Sequence, residues 1–178
     1  MSLFESTEKV NYFNLVLIIG EETTYLSSDT PFQSNEDQEI QGEWFTSEFL
    51  NEIKCLGIPN HQLTLKVDVP IMLLRNIDQT NDLCNVTRLQ VIELGKHVIF
   101  ATFITWKNIS DKIFIPRIDL VPSDLRLSFK FKRRQFLITM YFAMTINKSQ
   151  YQSLSKVWLY LLLLVCTHGQ LFCLLFLE

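Results

Sequence analysis

Two stretches of the 178-residue chain hold residue types that could act on phosphate. The first is Lys130-Phe131-Lys132-Arg133-Arg134, four cations with a phenyl ring among them. Such a run can grip a nucleic-acid backbone by charge while Phe131 stacks on a base. The blander reading is a solvated cationic loop beside a core strand. The second stretch is Thr145-Ile146-Asn147-Lys148-Ser149-Gln150. Thr145 and Ser149 offer hydroxyls, Lys148 a point charge, and a loop that opens a helix presents free backbone N–H groups to an anion. The same two hydroxyls would serve equally to cap that helix.

The spacing of other reactive residues supports less. Cys55, Cys84, Cys166 and Cys173 form no C-x-x-C pair, and none of His61, His97 and His168 stands at zinc-ligand spacing from two of them, so no metal site is expected. The four cysteines read as free thiols in a reducing, intracellular compartment. No Ser/His/Asp or Cys/His set can be assembled from the sequence. Glu21-Glu22 and Glu36-Asp37 lie in polar stretches and read as solvated surface carboxylates rather than a catalytic pair. Sequons at Asn85, Asn108 and Asn147 follow no secretory signal and read as chance. The formal net charge is -3, so any binding of nucleic acid must come from a local patch.

The elements that would position these residues follow from pattern. Hydrophobic residues make up 48% of the chain and charged ones 20%, enough apolar surface for a packed globule. Residues 9–26 read as a strand or short helix ending in a turn at Gly20-Glu21-Glu22. Residues 27–43 read as an acidic, solvated loop. Residues 45–55 read as a helix capped by Thr46, with Phe49, Leu50 and Ile53 at helical spacing. Apolar stretches at 63–67, 71–74, 87–92, 98–105 and 112–115 alternate with turns such as Gly95-Lys96, and suggest a small barrel or meander. Residues 136–144 read as one buried strand, and 145–154 as a loop leading into a helix.

The stretch Ala143-Met144-Thr145-Ile146-Asn147-Lys148-Ser149-Gln150 resembles the fifth motif of the Pif/RecD-like helicases of superfamily one, with Asn147 where many members carry His. Four further stretches fit the same family in order. They are Gly20-Glu21-Glu22 with Tyr25-Leu26-Ser27-Ser28-Asp29, residues 65–76, residues 83–89, and Thr167-His168-Gly169-Gln170-Leu171. The first of these is also similar to plant members, including those carried by Helitron transposons. The resemblance implies a mixed α/β fold, namely part of a second RecA-like domain with a small Src-homology-three-like β-barrel insert. It divides the chain into 1–62, an insert at 63–125, and 126–178. It implies the C-terminal fragment of an ATP-dependent 5′ to 3′ DNA helicase of the Pif family, acting in repair, recombination and telomere maintenance. The implied location is the nucleus, or alternatively the mitochondrion. Thr145, Asn147, Lys148 and Ser149 would contact single-stranded DNA together with Lys130, Lys132, Arg133 and Arg134. Gln150 and Gln170 would lie near the nucleotide. ATP and magnesium belong to the full-length family, and no cofactor is expected on this chain alone; a separate first motor domain would be a partner.

The sequence departs from that family at several points. No G-x-x-x-x-G-K-[ST] phosphate loop occurs, and no magnesium ligands can be placed. Leu177 occupies the arginine-finger position, so no catalytic residue is assigned and the chain is expected to be inactive alone, at most a weak DNA binder. Asp68, Val86, Trp106, Tyr151 and Trp158 stand where the family has glycine, and Val86 is the poorest substitute because a β-branched residue resists positive φ. Leu162, Leu163 and Leu164 replace a Pro-Arg-Pro segment. The uncharged stretch 158–177 supports an alternative reading as a tail anchor, preceded by Lys148 and Lys156. His168 and Gln170 would then sit near the middle of the bilayer, at a cost.

Overall fold

The computed structural model describes residues 3–31, 46–53, 58–104, 112–122, 129–145, 157–161 and 173–177. It begins with helix α1 (Leu3–Leu17). Asn11 and Leu15, one turn apart, face inward and are buried. The helix ends where Ile18 N–H turns back to the Leu15 carbonyl, Lys66 Nζ caps the Ile18 carbonyl at 2.8 Å, and Gly20 takes φ +142°. Helix α2 (Ser47–Glu52) starts as its sequence indicates: Thr46 Oγ1 accepts the Phe49 N–H at 3.2 Å, and Glu48 sits in the first turn. Leu50 is its buried contact and Phe49 is exposed.

Strands β1 (Thr23–Leu26) and β3 (Gln62–Leu65) form an antiparallel pair. The main sheet contains β2 (Ser28–Pro31), β4 (Pro70–Leu73), β5 (Arg88–Leu94), β6 (Val98–Phe103), β7 (Ile113–Leu120), β8 (Phe131–Phe136) and β9 (Ile138–Met140). Its strand order is β2-β8-β7-β6-β5-β4-β9. A single residue, Leu137, separates β8 from β9, yet β8 lies beside β7 while β9 lies beside β4. One stretch of chain therefore closes the order β8-β7-β6-β5-β4-β9 into a ring, and the Leu74 N–H bonds the Leu137 carbonyl at the closure. The spacing of short strands suggests a small barrel or a meander at 63–125, and β4 to β7 run there as an antiparallel meander. The ring takes β8 and β9 from beyond residue 125 and leaves β3 outside.

Alternation fills the ring interior. Ile71, Leu73, Leu89, Val91, Ile99, Ala101, Ile115, Phe136 and Ile138 are almost wholly buried, and Leu15, Tyr25, Leu63 and Leu65 extend the same core to α1 and the β1–β3 pair. A bulge at Val91/Glu93 bends β5 around the ring. A third sheet, order β10-β12-β11, joins β10 (Ala143–Thr145), β11 (Val157–Leu161) and β12 (Cys173–Leu177). Every described pairing in the three sheets is antiparallel.

Several sequence expectations change. The basic run is a strand, not a loop, and 136–144 is no single strand: the chain bends at Leu137 and again at Tyr141-Phe142. The acidic stretch contains β2, paired with β8 through Asp29 and Arg133. The stretch 158–177 is not one helix, because β11 and β12 occupy its two ends and pair antiparallel. Among the described residues no helix is long and apolar enough to cross a membrane.

Candidate nucleic-acid interface

Strand β8 sorts the basic run by the two-residue period of a strand. Phe131, Arg133 and Gln135 share one face and are buried, while Lys132 and Arg134 lie on the other, which Phe136 continues into the ring core, and Lys130, just ahead of the strand, is exposed. Arg133 thus departs from its expected place in the patch. Its guanidinium forks onto Asp29 at 2.7–3.0 Å and also donates to the carbonyls of Leu50, Ile53 and Pro59 at 2.7–3.2 Å. All five N–H donors are engaged, so none remains for a phosphate. Phe131 likewise cannot stack on a base: it is fully buried, beneath the Arg133 guanidinium at 5.4 Å and next to Phe129 at 6.1 Å.

The outward face keeps cationic character. Lys132 Nζ lies 3.1 Å and Arg134 Nε 3.7 Å from the carboxylate of Asp119, the residue opposite Arg134 on β7. Three cations (Lys130, Lys132 and Arg134) share this face with that carboxylate. Both ion pairs are roughly half exposed, and such pairs contribute little, so a phosphate oxygen could replace Asp119 at small cost.

Around Asp29 the fold assembles a polar cluster that no spacing rule reveals. Ser27 Oγ donates to Asp29 Oδ1 at 2.7 Å and lies 2.8 Å from His61 Nδ1. With the hydroxyl proton on Asp29 and the carboxylate held by Arg133, Ser27 accepts from His61. That polarity is opposite to a histidine that takes a proton from a nucleophilic serine. The cluster locks β2, α2 and β8 together. Gln135 continues the lock, donating to the carbonyls of Tyr25 and His61. The Ser27-Ser28-Asp29 stretch stands out in the sequence as a motif, but its partners 34 and 104 residues away do not.

The second stretch is reached by β10. Thr145 ends that strand opposite Leu174 of β12, and Leu177 pairs with Val157. Asn147, Lys148, Ser149, Gln150 and Gln170 lie outside the described residues, so the structure does not bring the two candidate stretches together or separate them. Among the described residues no group of three or more His, Cys, Asp or Glu could hold a metal ion. An open cavity of about 390 Å³ between the 80–83 turn and β7 is lined by Asp82, Phe103, Lys112 and Phe114, among others. Its described lining offers one cation, Lys112, and no glycine-rich cradle for a polyphosphate.

Residues 48–94 match the family model described as DNA helicase Pif1, 2B domain. No curated protein sequence matches the chain significantly. Among solved structures, Pif1 helicase from Candida albicans is similar with a TM-score of 0.62 at 21% identity, over 88% of this chain and 37% of that one. Unliganded Pif1 from Bacteroides sp gives 0.53 at 22% identity, over 83% and 40%. Bacteroides Pif1 in complex with ADP-AlF3 and single-stranded DNA gives 0.54 at 21%, over 82% and 30%. The chain therefore spans well under half the length of the structures it resembles.

Proposed function

We propose, from the premise that this chain belongs with the Pif1 family of DNA helicases, that it is the C-terminal part of an ATP-dependent 5′ to 3′ DNA motor. In this reading β4 to β7 belong to a Src-homology-three-like insert at 63–125, and the flanks 1–62 and 126–178, the second of which lends β8 and β9 to the ring, form a second RecA-like domain. Alone, the chain binds single-stranded DNA weakly and without sequence preference. Lys130, Lys132 and Arg134 supply one contact region, and Thr145 with Asn147, Lys148 and Ser149 a second. ATP and magnesium would bind only once a first motor domain contributes its phosphate loop, with Gln150 and Gln170 near the nucleotide. The intact motor would act in the nucleus or mitochondrion, in repair, recombination or telomere maintenance.

The observation that carries this reading is the match of residues 48–94 to the 2B domain, inside a chain whose fold follows Pif1 over most of its length. The outward cations of β8 give it a physical footing. Anisotropy titrations of a labelled oligo-thymidine at several salt concentrations test it. Each phosphate held on a single strand adds about 0.7 to the slope of log affinity against log salt. Replacing Lys130, Lys132 and Arg134 by alanine should flatten that slope by about 2 if each holds one phosphate. Tight binding that ignores salt, or a triple variant with the parent slope, would refute the patch.

A further inference from the structure

Asn11 is an unfavourable residue for a helix interior unless tertiary contacts reward it. Its neighbour Asn14 bonds back to the Val10 carbonyl of its own helix. Asn11 instead reaches about 130 residues along the chain. Its Nδ2 donates to the carbonyls of Met140 at 3.2 Å and Ala143 at 3.4 Å. Its Oδ1 accepts the N–H groups of Phe142 at 3.1 Å and Ala143 at 2.7 Å. Both donors and both acceptor positions of the amide are used, and the side chain is buried at 5% exposure. The orientation of the amide follows from its partners, since a flipped group would set oxygen against two carbonyls.

The segment held in this way is a junction. Met140 ends β9, the last strand of the ring, and Ala143 opens β10, which belongs to the other sheet. From the ring side the Tyr141 N–H bonds the Pro70 carbonyl at 2.9 Å. Between these anchors the chain turns out of the ring and enters β10, which ends at Thr145.

We infer that Asn11 is a positioning residue: it fixes the direction in which the chain leaves the ring and so the path of β10 to Thr145, the first residue of the segment read as a DNA contact. The functional half of this inference rests on the reading of 145–149 as a DNA contact. The geometric half does not.

The test uses the full chain with Asn11→Ala and Asn11→Asp, followed by amide hydrogen exchange and oligo-thymidine titration. Alanine removes all four bonds. Aspartate keeps the two acceptances but sets a carboxylate oxygen against the carbonyls of Met140 and Ala143, which together with burial raises its pKa. Protonation then restores one donor, so this variant should approach the parent as pH falls, while the alanine variant should not. At neutral pH both variants should lose protection at Phe142 to Thr145 while β5 and β6 keep theirs. The salt slope should flatten by about 0.7 for each phosphate that the displaced segment no longer holds. Parent-like exchange at Phe142 and Ala143, or parent-like affinity and slope in Asn11→Ala, overturns the inference. If the alanine variant does not fold, the pH-dependent recovery of Asn11→Asp decides, and no recovery overturns it. If the parent itself binds no single-stranded DNA, the proposed function fails. The exchange result then still upholds or overturns the placement of β10.

Discussion

At residue 86 the usual ranking of alanine above glycine should invert. Val86 has φ +72°, a region where an L side chain crowds the backbone. The surrounding turn leaves it no way out. The Val86 N–H bonds the Leu73 carbonyl at 2.9 Å, and the Asn85 N–H bonds Asn76 Oδ1 at 2.6 Å. Thr87 Oγ1 accepts from Cys84 N–H at 3.1 Å and donates to the Asp82 carbonyl at 2.9 Å. Bonds on both sides over-determine the strained conformation. Val86→Ala and Val86→Gly both remove the two γ-methyl groups of a half-buried side chain, so most of the lost burial cancels between them. What remains is the Cβ. Relief of left-handed strain is worth about 1–2 kcal/mol, and the extra freedom of glycine in the unfolded chain takes back about 0.4–1. The glycine variant should therefore be more stable than the alanine variant by about 0.5–1 kcal/mol, whereas within ordinary helices and strands alanine leads by about as much. Urea titration with an unchanged m-value measures the gap directly, and by melting it corresponds to about 2–4 °C per kcal/mol for a chain of this size. Equal stabilities, or alanine ahead, would refute the strained-turn argument. Asp68 offers an internal control at φ +67°: it is exposed, and aspartate enters this region more readily, but its alanine and glycine variants should rank the same way.

Three more outcomes follow from the structure. Arg133→Met should destabilise the fold by about 3–5 kcal/mol in chemical denaturation, because it leaves the buried Asp29 carboxylate without its counter-charge; adding Asp29→Asn should recover part of the loss, and a mild effect of the single change would contradict the lock. Burial raises the phenols of Tyr25 and Tyr141 above their ordinary 10.0, so they favour folding below that pH and lose the contribution as pH rises through the raised values; urea midpoints should fall in strong alkali, less steeply in Tyr25→Phe with Tyr141→Phe. The purified chain should hydrolyse no ATP above background in a phosphate-release assay, with or without single-stranded DNA, and Leu177→Arg with Tyr151→Gly should not change that, since the sequence holds no G-x-x-x-x-G-K-[ST] loop to cradle the phosphates.

How far the sequence can be read depends on the range of each interaction. Thr46 caps α2 as its type and position indicate, because a cap reaches only three residues. Strands β4 to β7 are visible because each is a short apolar stretch between turn residues, whereas β8 reads as a loop and β9 as part of one longer strand. Asp68 and Val86 stand out as occupants of glycine positions, and both have positive φ. The basic run misleads for a physical reason: a count of charges gives no phase. Once β8 is a strand, alternate residues separate, and Arg133 goes to the core while Lys132 and Arg134 stay outside. Only a partner can make a buried arginine tolerable, and Asp29 lies 104 residues away, in a stretch whose acidity reads as solvation.

The apolar end of the chain shows the same limit from the other side. A run without charge satisfies a hydropathy window whether it crosses a bilayer or pairs inside a sheet, because transfer free energy is summed without regard to backbone partners. Geometry separates the two. A spanning helix satisfies its own N–H and C=O groups, whereas a strand must find them on a neighbour. In this fold Val157 to Leu161 pairs with Leu177 back to Cys173, and β12 also receives β10 on its other edge. β12 is the central strand of its sheet, so its backbone groups find partners on both edges. The strand that carries Leu177 is hydrogen-bonded to the strand that carries Thr145, so the two residues belong to one sheet, and Asn11 accepts the Phe142 and Ala143 N–H groups where the chain enters it.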